Sequence, residues 1–264
     1  TSAVPYFTIL VEMIIATLNQ NQVKIETAKA STFVERELIG WIHRLIYSRP
    51  EAFYRENTQN HHVALGNAAL DGTLANLTAM HVAMAKAFPP DASFPGIGQA
   101  GIVESFRYYN VDRAVILISK RGNYSFDKIA RICGLGESNV VKVDVDESNK
   151  ISIDALHREL QAITDYNTSH ERTVKIVSLV GIAGTTETGN IDNLDALERA
   201  AREMRTHYHV DAAWGGPVLF VDQYRQMFSG IEKADSVTFD VHKLLYTPLS
   251  MGMVLFRSEQ DLSL

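Results

Sequence analysis

From about residue 113 onward, short runs of β-branched and aliphatic residues alternate with amphipathic stretches. Residues 115–119, 140–144, 175–181, 207–211, 236–241 and 252–256 predict strands, nearly continuous in hydrophobicity as strands buried on both faces are. Between them, residues 152–163 place Ile153, Leu156, Leu160 and Ile163 on one stripe, with Ser152 positioned as an N-cap. Residues 193–205 do the same with Leu194, Leu197, Ala201 and Met204, with Asp192 before them. This alternation predicts an α/β fold, a parallel sheet covered by helices. The first half reads differently. Residues 5–18 and 32–47 predict two amphipathic helices, and residues 73–87 a third with Leu74, Leu77, His81 and Met84 on one face. Residues 88–101, with three of the seven prolines, predict a loop. Neither an internal repeat nor a low-complexity tract interrupts this pattern.

Composition narrows the picture. At 264 residues and 46% hydrophobic, the chain can bury a sizeable core. A net charge of −6 supplies no basic field for nucleic acid and disfavours a membrane surface. The apolar stretch over residues 7–18 is broken by Thr8 and Glu12 and is too short to span a bilayer. Cys133 is the single cysteine, so no intrachain disulfide forms, which fits a reducing cytoplasm.

In an open parallel sheet, ligands bind beyond the carboxyl ends of the strands. Small and polar residues follow the predicted strands there: 120–124 (KRGNY), 183–186 (AGTT), 211–216 (DAAWGG) and 240–243 (DVHK). Lys243 lies among mostly apolar neighbours. Burial favours the neutral amine, which condenses with an aldehyde; the plainer alternative is a lysine that reaches water or pairs with Asp240. Asp211 ends the preceding strand, with room for one helical crossover between. A carboxylate there suits a protonated pyridine nitrogen, although turn or cap duty is an equal alternative. Asp71-Gly72-Thr73 opens the helix at 73–87, where free N–H groups and a hydroxyl make a phosphate seat. His207, His209 and Asp211 share one strand face and form a competing metal set, against which packing or hydrogen bonding is the plainer role for the histidines. Neither GxGxxG after a strand, nor GxxxxGK[ST], nor GxSxG occurs.

HVDAAWGGP at 209–217 and ADSVTFDVHKLLYTP at 234–248 resemble the pyridoxal-phosphate (PLP) dependent decarboxylases of the glutamate and aromatic amino-acid decarboxylase group. TSAVPYF, LNQNQVKIETAKAS, ERELIGWIHRLIY, RGNYSFDKIARICGLG and VGIAGTTETGNID are similar to its bacterial aspartate 1-decarboxylase branch, so the likeness covers the whole chain. The resemblance implies a fold type I large domain with a mainly parallel seven-stranded sheet over residues 61–264. A helical arm over 1–60 precedes it, and a small C-terminal domain lies beyond this chain. It implies Lys243 as the lysine that carries PLP covalently, Asp211 as partner of the pyridine nitrogen, and Ala213 against one ring face. His242 and Asp240 fall beside the lysine, Gly72 and Thr73 at the phosphate, Thr185 or Thr186 near the ring hydroxyl, and Asn123 where the family stacks a histidine. Thr1 and Ser2 align with a loop that approaches the substrate. The expected activity is decarboxylation of an acidic amino acid, aspartate to β-alanine or glutamate to γ-aminobutyrate, by a cytoplasmic homodimer. Two departures, Asp71 in a segment that usually reads SGGT and Asn123 for histidine, together with the end at Leu264, make an altered or shortened homologue, acting as a binding or dimer-forming subunit, the alternative. A metal-dependent hydrolase is the remote third.

Overall fold

The computed structural model describes residues 3–263. Its strands are β1 (Gly66–Ala69), β2 (Val111–Ser119), β3 (Val140–Val143), β4 (Thr173–Ile182), β5 (His207–Asp211), β6 (Ser236–Asp240) and β7 (Gly252–Phe256). The helices are α1 (Tyr6–Leu18), α2 (Ile25–Ala28), α3 (Ala30–Tyr47), α4 (Glu51–Asn57), α5 (Gly72–Ala87), α6 (Ile97–Tyr108), α7 (Ser125–Ile132), α8 (Ile153–Ser169), α9 (Leu194–Glu203) and α10 (Val241–Leu244). One seven-stranded sheet runs in the order β1-β7-β6-β5-β4-β2-β3. It is parallel throughout except at β7, which pairs antiparallel with β1 and β6.

Period-two alternation divides the sheet between two cores. Val115 and Leu117 of β2 face one core with Ile39 and Ile42 of α3, Leu156 of α8 and Leu197 of α9. Ile116 and Ile118 face the other with Ala79 and Met80 of α5 and Phe126 and Ile129 of α7. The result is helix, sheet, helix. Two helices of the first layer begin as their sequences require. Ser152 accepts from the Ala155 N–H at the start of α8, and Asn193 from the Ala196 N–H at the start of α9. Asp192, the residue expected before that helix, is instead buried and accepts the N–H groups of Ile151 and Ile182.

Three expectations need correction. The loop over 88–101 ends early, because all three prolines precede Ile97: α6 starts there, after Gly96 at φ +87°, and is interrupted at Gly101. Helix α5 buries a different face from the one predicted. Leu74 and His81 are exposed, while Ala75, Asn76, Ala79, Met80 and Ala83 pack on the sheet. Small residues let this helix sit close over β4 to β7, and large apolar residues at helical spacing misled the periodicity. Replacing Ala79, fully buried, by leucine is therefore expected to cost about 1–3 kcal/mol of stability in a urea titration. The crossover from β5 to β6 is built of 3₁₀ segments between Gly216 and Lys233 rather than one helix.

No helix among the described residues is long and apolar enough to cross a membrane. Helix α3 packs on β1 and β7 and shares their core, whereas α1 buries no residue and exposes Tyr6, Phe7, Ile9, Leu10, Met13 and Ile14.

Candidate active site

The parallel strands β2, β4, β5 and β6 end together, and beyond those ends lies a cleft of about 220 Å³. Lys243, Asp211, Asp240, His242, Ala213, Gly72, Thr73, Asn123, Thr185 and Thr186 all line it. Thr1 and Ser2 lie outside the described residues. Residues far apart in sequence thus converge on one rim, as strand ends of an α/β sheet do.

Asp211 closes β5 and is 7% exposed. Its Oδ1 accepts the Ala213 N–H at 3.1 Å and its Oδ2 the Asn76 side-chain amide at 3.0 Å. Burial pushes its carboxyl above the usual carboxylate range, and the Ala213 N–H, the Lys243 charge and Asn76 pull it back. Lys243 sits in the short α10 with Nζ 2.9 Å from Asp240 Oδ2. Its side chain is 33% exposed, so an ion pair, and not an apolar pocket, surrounds the amine in the free cleft. The pairing weighed as an alternative from the sequence is present, yet it coexists with a place in the cleft. Asp240 is buried against two glycines: a Cβ at Gly72 would stand 2.8 Å from its Oδ2, and one at Gly252 would stand 2.4 Å from its Oδ1. Burial raises the Asp240 carboxyl, with the Lys243 charge opposing. His242 is pinned by the Met251 backbone, its Nδ1 2.6 Å from the carbonyl oxygen, and its Nε2 is 3.8 Å from Asp240 Oδ2.

Asp71 also lines the cleft. Its carboxylate caps α5 by accepting the Leu74 N–H at 3.0 Å, in the first turn rather than across it. The Gly72 and Thr73 N–H groups stay free of intrahelical partners, as first-turn donors do. Facing them, Asn123 Oδ1 accepts the Ser125 N–H at 2.8 Å and shapes the start of α7. Thr185 is buried and bonds Thr188 and the Asn190 N–H, which folds the loop after β4, whereas Thr186 is exposed. In that loop Gly184 has φ +104°, and a Cβ there would stand 2.7 Å from the Gly215 nitrogen.

Sequence reasoning did not single out Asn76 and Ser125, which also line the cleft. Asn76 was legible as a polar residue one turn after Thr73 in a helix start that already carried a ligand signal. The buried Ser125 Oγ has no hydrogen-bond partner among the described residues, and neither has Asp240 Oδ1. An unpaired buried hydroxyl beside free helix N–H groups fits an anionic phosphate, and a buried carboxylate across the cleft fits a pyridinium. The residues present therefore fit PLP: Gly72, Thr73 and Ser125 at its phosphate, Asp211 at its ring nitrogen, Lys243 at its aldehyde. The competing metal set fails. His207 and His209 both bond Ser236, and no group of three or more histidine, cysteine or acidic side chains among the described residues could hold a metal ion.

A family model described as pyridoxal-dependent decarboxylase conserved domain matches residues 1–264. The chain belongs to this family. Among curated relatives, the aspartate 1-decarboxylase of Aliivibrio fischeri is 40% identical, aligned over all of this chain and 47% of its own length. An L-2,4-diaminobutyrate decarboxylase of Rhizobium meliloti is 30% identical over 95% of this chain and 43% of its own length. The crystal structure of the glutamate decarboxylase domain of a Vibrio parahaemolyticus diaminobutyrate-pyruvate transaminase and L-2,4-diaminobutyrate decarboxylase superposes with a TM-score of 0.81. It is 26% identical and covers 99% of this chain and 52% of that one. The chain spans about half the length of the relatives it matches.

Proposed function

We propose that this chain forms the cofactor-binding part of a PLP-dependent α-decarboxylase acting on an acidic L-amino acid, with aspartate the first candidate. The observation that carries the proposal is the convergence of Lys243 and Asp211 on one cleft whose walls fit PLP. Bound PLP supplies an electron sink for the pair released when the α-carboxylate leaves as CO₂. Lys243 would hold the cofactor through its amine. Asp211 keeps a proton on the ring nitrogen, and that positive charge is what draws the electrons. Gly72, Thr73 and Ser125 grip the phosphate. Ala213 and Asn123 would flank its ring, Thr185 and Thr186 would border the ring hydroxyl, and Asp240 and His242 would keep the lysine in place. One proton returns to the α-carbon, so aspartate gives β-alanine and CO₂. Aspartate is preferred on the 40% identity to a decarboxylase of that name, while the relatives named for diaminobutyrate keep a basic substrate in play.

CO₂ release from L-aspartate, L-glutamate and L-2,4-diaminobutyrate, with PLP added, tests the assignment. Release from aspartate in clear excess is expected, and none from either acidic amino acid would contradict it. The second reading, a fold that keeps the cleft without the chemistry, draws on Asp71 and Asn123, and PLP bound without CO₂ release would favour it.

The proposal includes a cytoplasmic homodimer. The exposed apolar residues of α1 support a second copy as its cover, since large exposed apolar patches mark interfaces. Light scattering of the purified protein is expected to give twice the chain mass, and a monomer would count against it.

A further inference from the structure

Behind Asp211 lies a row of buried polar side chains that the proposed chemistry does not itself use. Asn76 of α5 donates its amide N–H to Asp211 Oδ2 at 3.0 Å. Its Oδ1 lies 2.9 Å from His209 Nε2. His209 Nδ1 lies 2.8 Å from Ser236 Oγ, and the same oxygen lies 2.8 Å from His207 Nε2. Asn76, His209 and Ser236 are 2% exposed or less, and His207 is 6% exposed.

Valence sets the direction of every link. The Asn76 nitrogen faces a carboxylate, so its oxygen faces His209, and His209 Nε2 must carry the hydrogen. Burial holds His209 neutral, with its pKa lowered to about 3, so Nδ1 is bare and accepts from the Ser236 hydroxyl. That hydroxyl has one hydrogen to give, so it accepts from His207 Nε2–H. The chain ends at His207 Nδ1, a bare nitrogen without a protein partner among the described residues.

We infer that Asn76 and His209 are positioning residues for Asp211: the one-way chain from His207 through Ser236, His209 and Asn76 holds that carboxylate as a hydrogen-bond acceptor toward the cleft. The inference rests on the reading of the cleft as a PLP site and deepens it. A proton on Asp211 Oδ2 would need Asn76 to turn its oxygen inward, which would set the amide N–H against His209 Nε2–H. A proton on Oδ1 would meet the Ala213 N–H. The chain therefore opposes the neutral acid that burial favours and leaves the remaining lone pairs for a cationic ring N–H. The charged side chains acting on Asp211 are Lys243 of α10 and Asp240 of β6, both on the cleft side. The groups it meets from α5 and from the turn after β5 are an amide and a backbone N–H.

The test uses wild type, Asn76→Leu, His209→Leu and His209→Gln, the last retaining a donor toward Asn76. With PLP labelled with ¹⁵N at the ring nitrogen, both leucine variants are expected to move its resonance toward the unprotonated position near neutral pH. They should also bind PLP roughly tenfold more weakly, as loss of one bond to a charged group implies, and His209→Gln should restore most of the shift. An identical ring-nitrogen resonance in wild type and both leucine variants would overturn the inference. Should a leucine variant fail to fold, the imidazole ¹⁵N pattern of the unliganded wild type decides: Nε2–H on both His207 and His209 is expected, and Nδ1–H on His209 overturns the chain. That readout needs no cofactor, so failure of wild type to bind PLP would sink the proposed function while leaving this inference to be judged separately.

Discussion

Asp211→Asn is expected to leave PLP attached at Lys243 yet lower decarboxylation by about 10²–10³-fold, the range for loss of one preorganised charge in a dry site. The asparagine keeps the shape but only one acceptor oxygen, so either the Ala213 N–H or the Asn76 amide then faces its NH2 group. It removes the negative charge that retains the proton on the ring. The effect should fall on kcat more than on KM, because the charge matters most when electrons enter the ring. The unliganded variant should be no more stable than wild type, because the relief of a buried charge is set against that donor–donor contact. Turnover within a factor of a few of wild type would remove Asp211 from the chemistry.

The second large effect is on the fold. Burial lowers His43 and His207 to a pKa of about 4 and His209 to about 3, and each is neutral in the folded state. His43 bonds Tyr54 through Nδ1 and the Phe256 carbonyl through Nε2 and is fully buried. The unfolded chain takes up these protons near pH 6.5, the folded one only near pH 3–4. Their contribution is complete above pH ~6.5 and is lost as pH falls toward 4, at about 1.4 kcal/mol per histidine per pH unit. Three of them amount to roughly 4 kcal/mol per unit, a large share of an ordinary domain's stability. Glu35, Asp192, Asp211, Asp240 and Asp261 work in the opposite sense. Their folded carboxyls are raised, so the folded state binds protons first on acidification and the loss is offset in part as they protonate. Urea titrations between pH 7 and 5 are expected to show stability falling with pH, with a slope about one-third shallower in His43→Gln. A flat profile would mean that these imidazoles are not held neutral.

Much of this molecule was legible before any coordinates. The β-branched runs located six of the seven strands because a strand buried on both faces has little choice of composition. The seventh, β1 with the sequence GNAA, was invisible: it is short, carries no β-branched residue and exists by pairing with β7. The burial of α5 was misread for a related reason. Alanines that allow close packing give no periodic signal, while Leu74 and Leu77 line a broad apolar groove shared with Leu18 and Leu38. Lys243, Asp211 and the glycine-threonine helix start, which line the cleft, stood out in the sequence because each is a residue type suited to a distinct task at a strand end or helix start. Asn76, Ser125 and the histidine chain escaped because their meaning lies in partners from other elements: Asn76 in α5 meets Asp211 and His209 in β5, and Ser236 in β6 joins the two histidines. The same histidines read as metal ligands from strand periodicity alone, since a shared face is all that periodicity reports.

Borohydride treatment of the protein mixed with PLP, followed by peptide mapping in a mass spectrometer, tests the central claim most directly. A reduced pyridoxal-phosphate adduct on the peptide carrying Lys243, absent in Lys243→Ala, is the result expected of an amine that shares its cleft with Asp211. An adduct spread over surface lysines, or one that persists undiminished in Lys243→Ala, would contradict it.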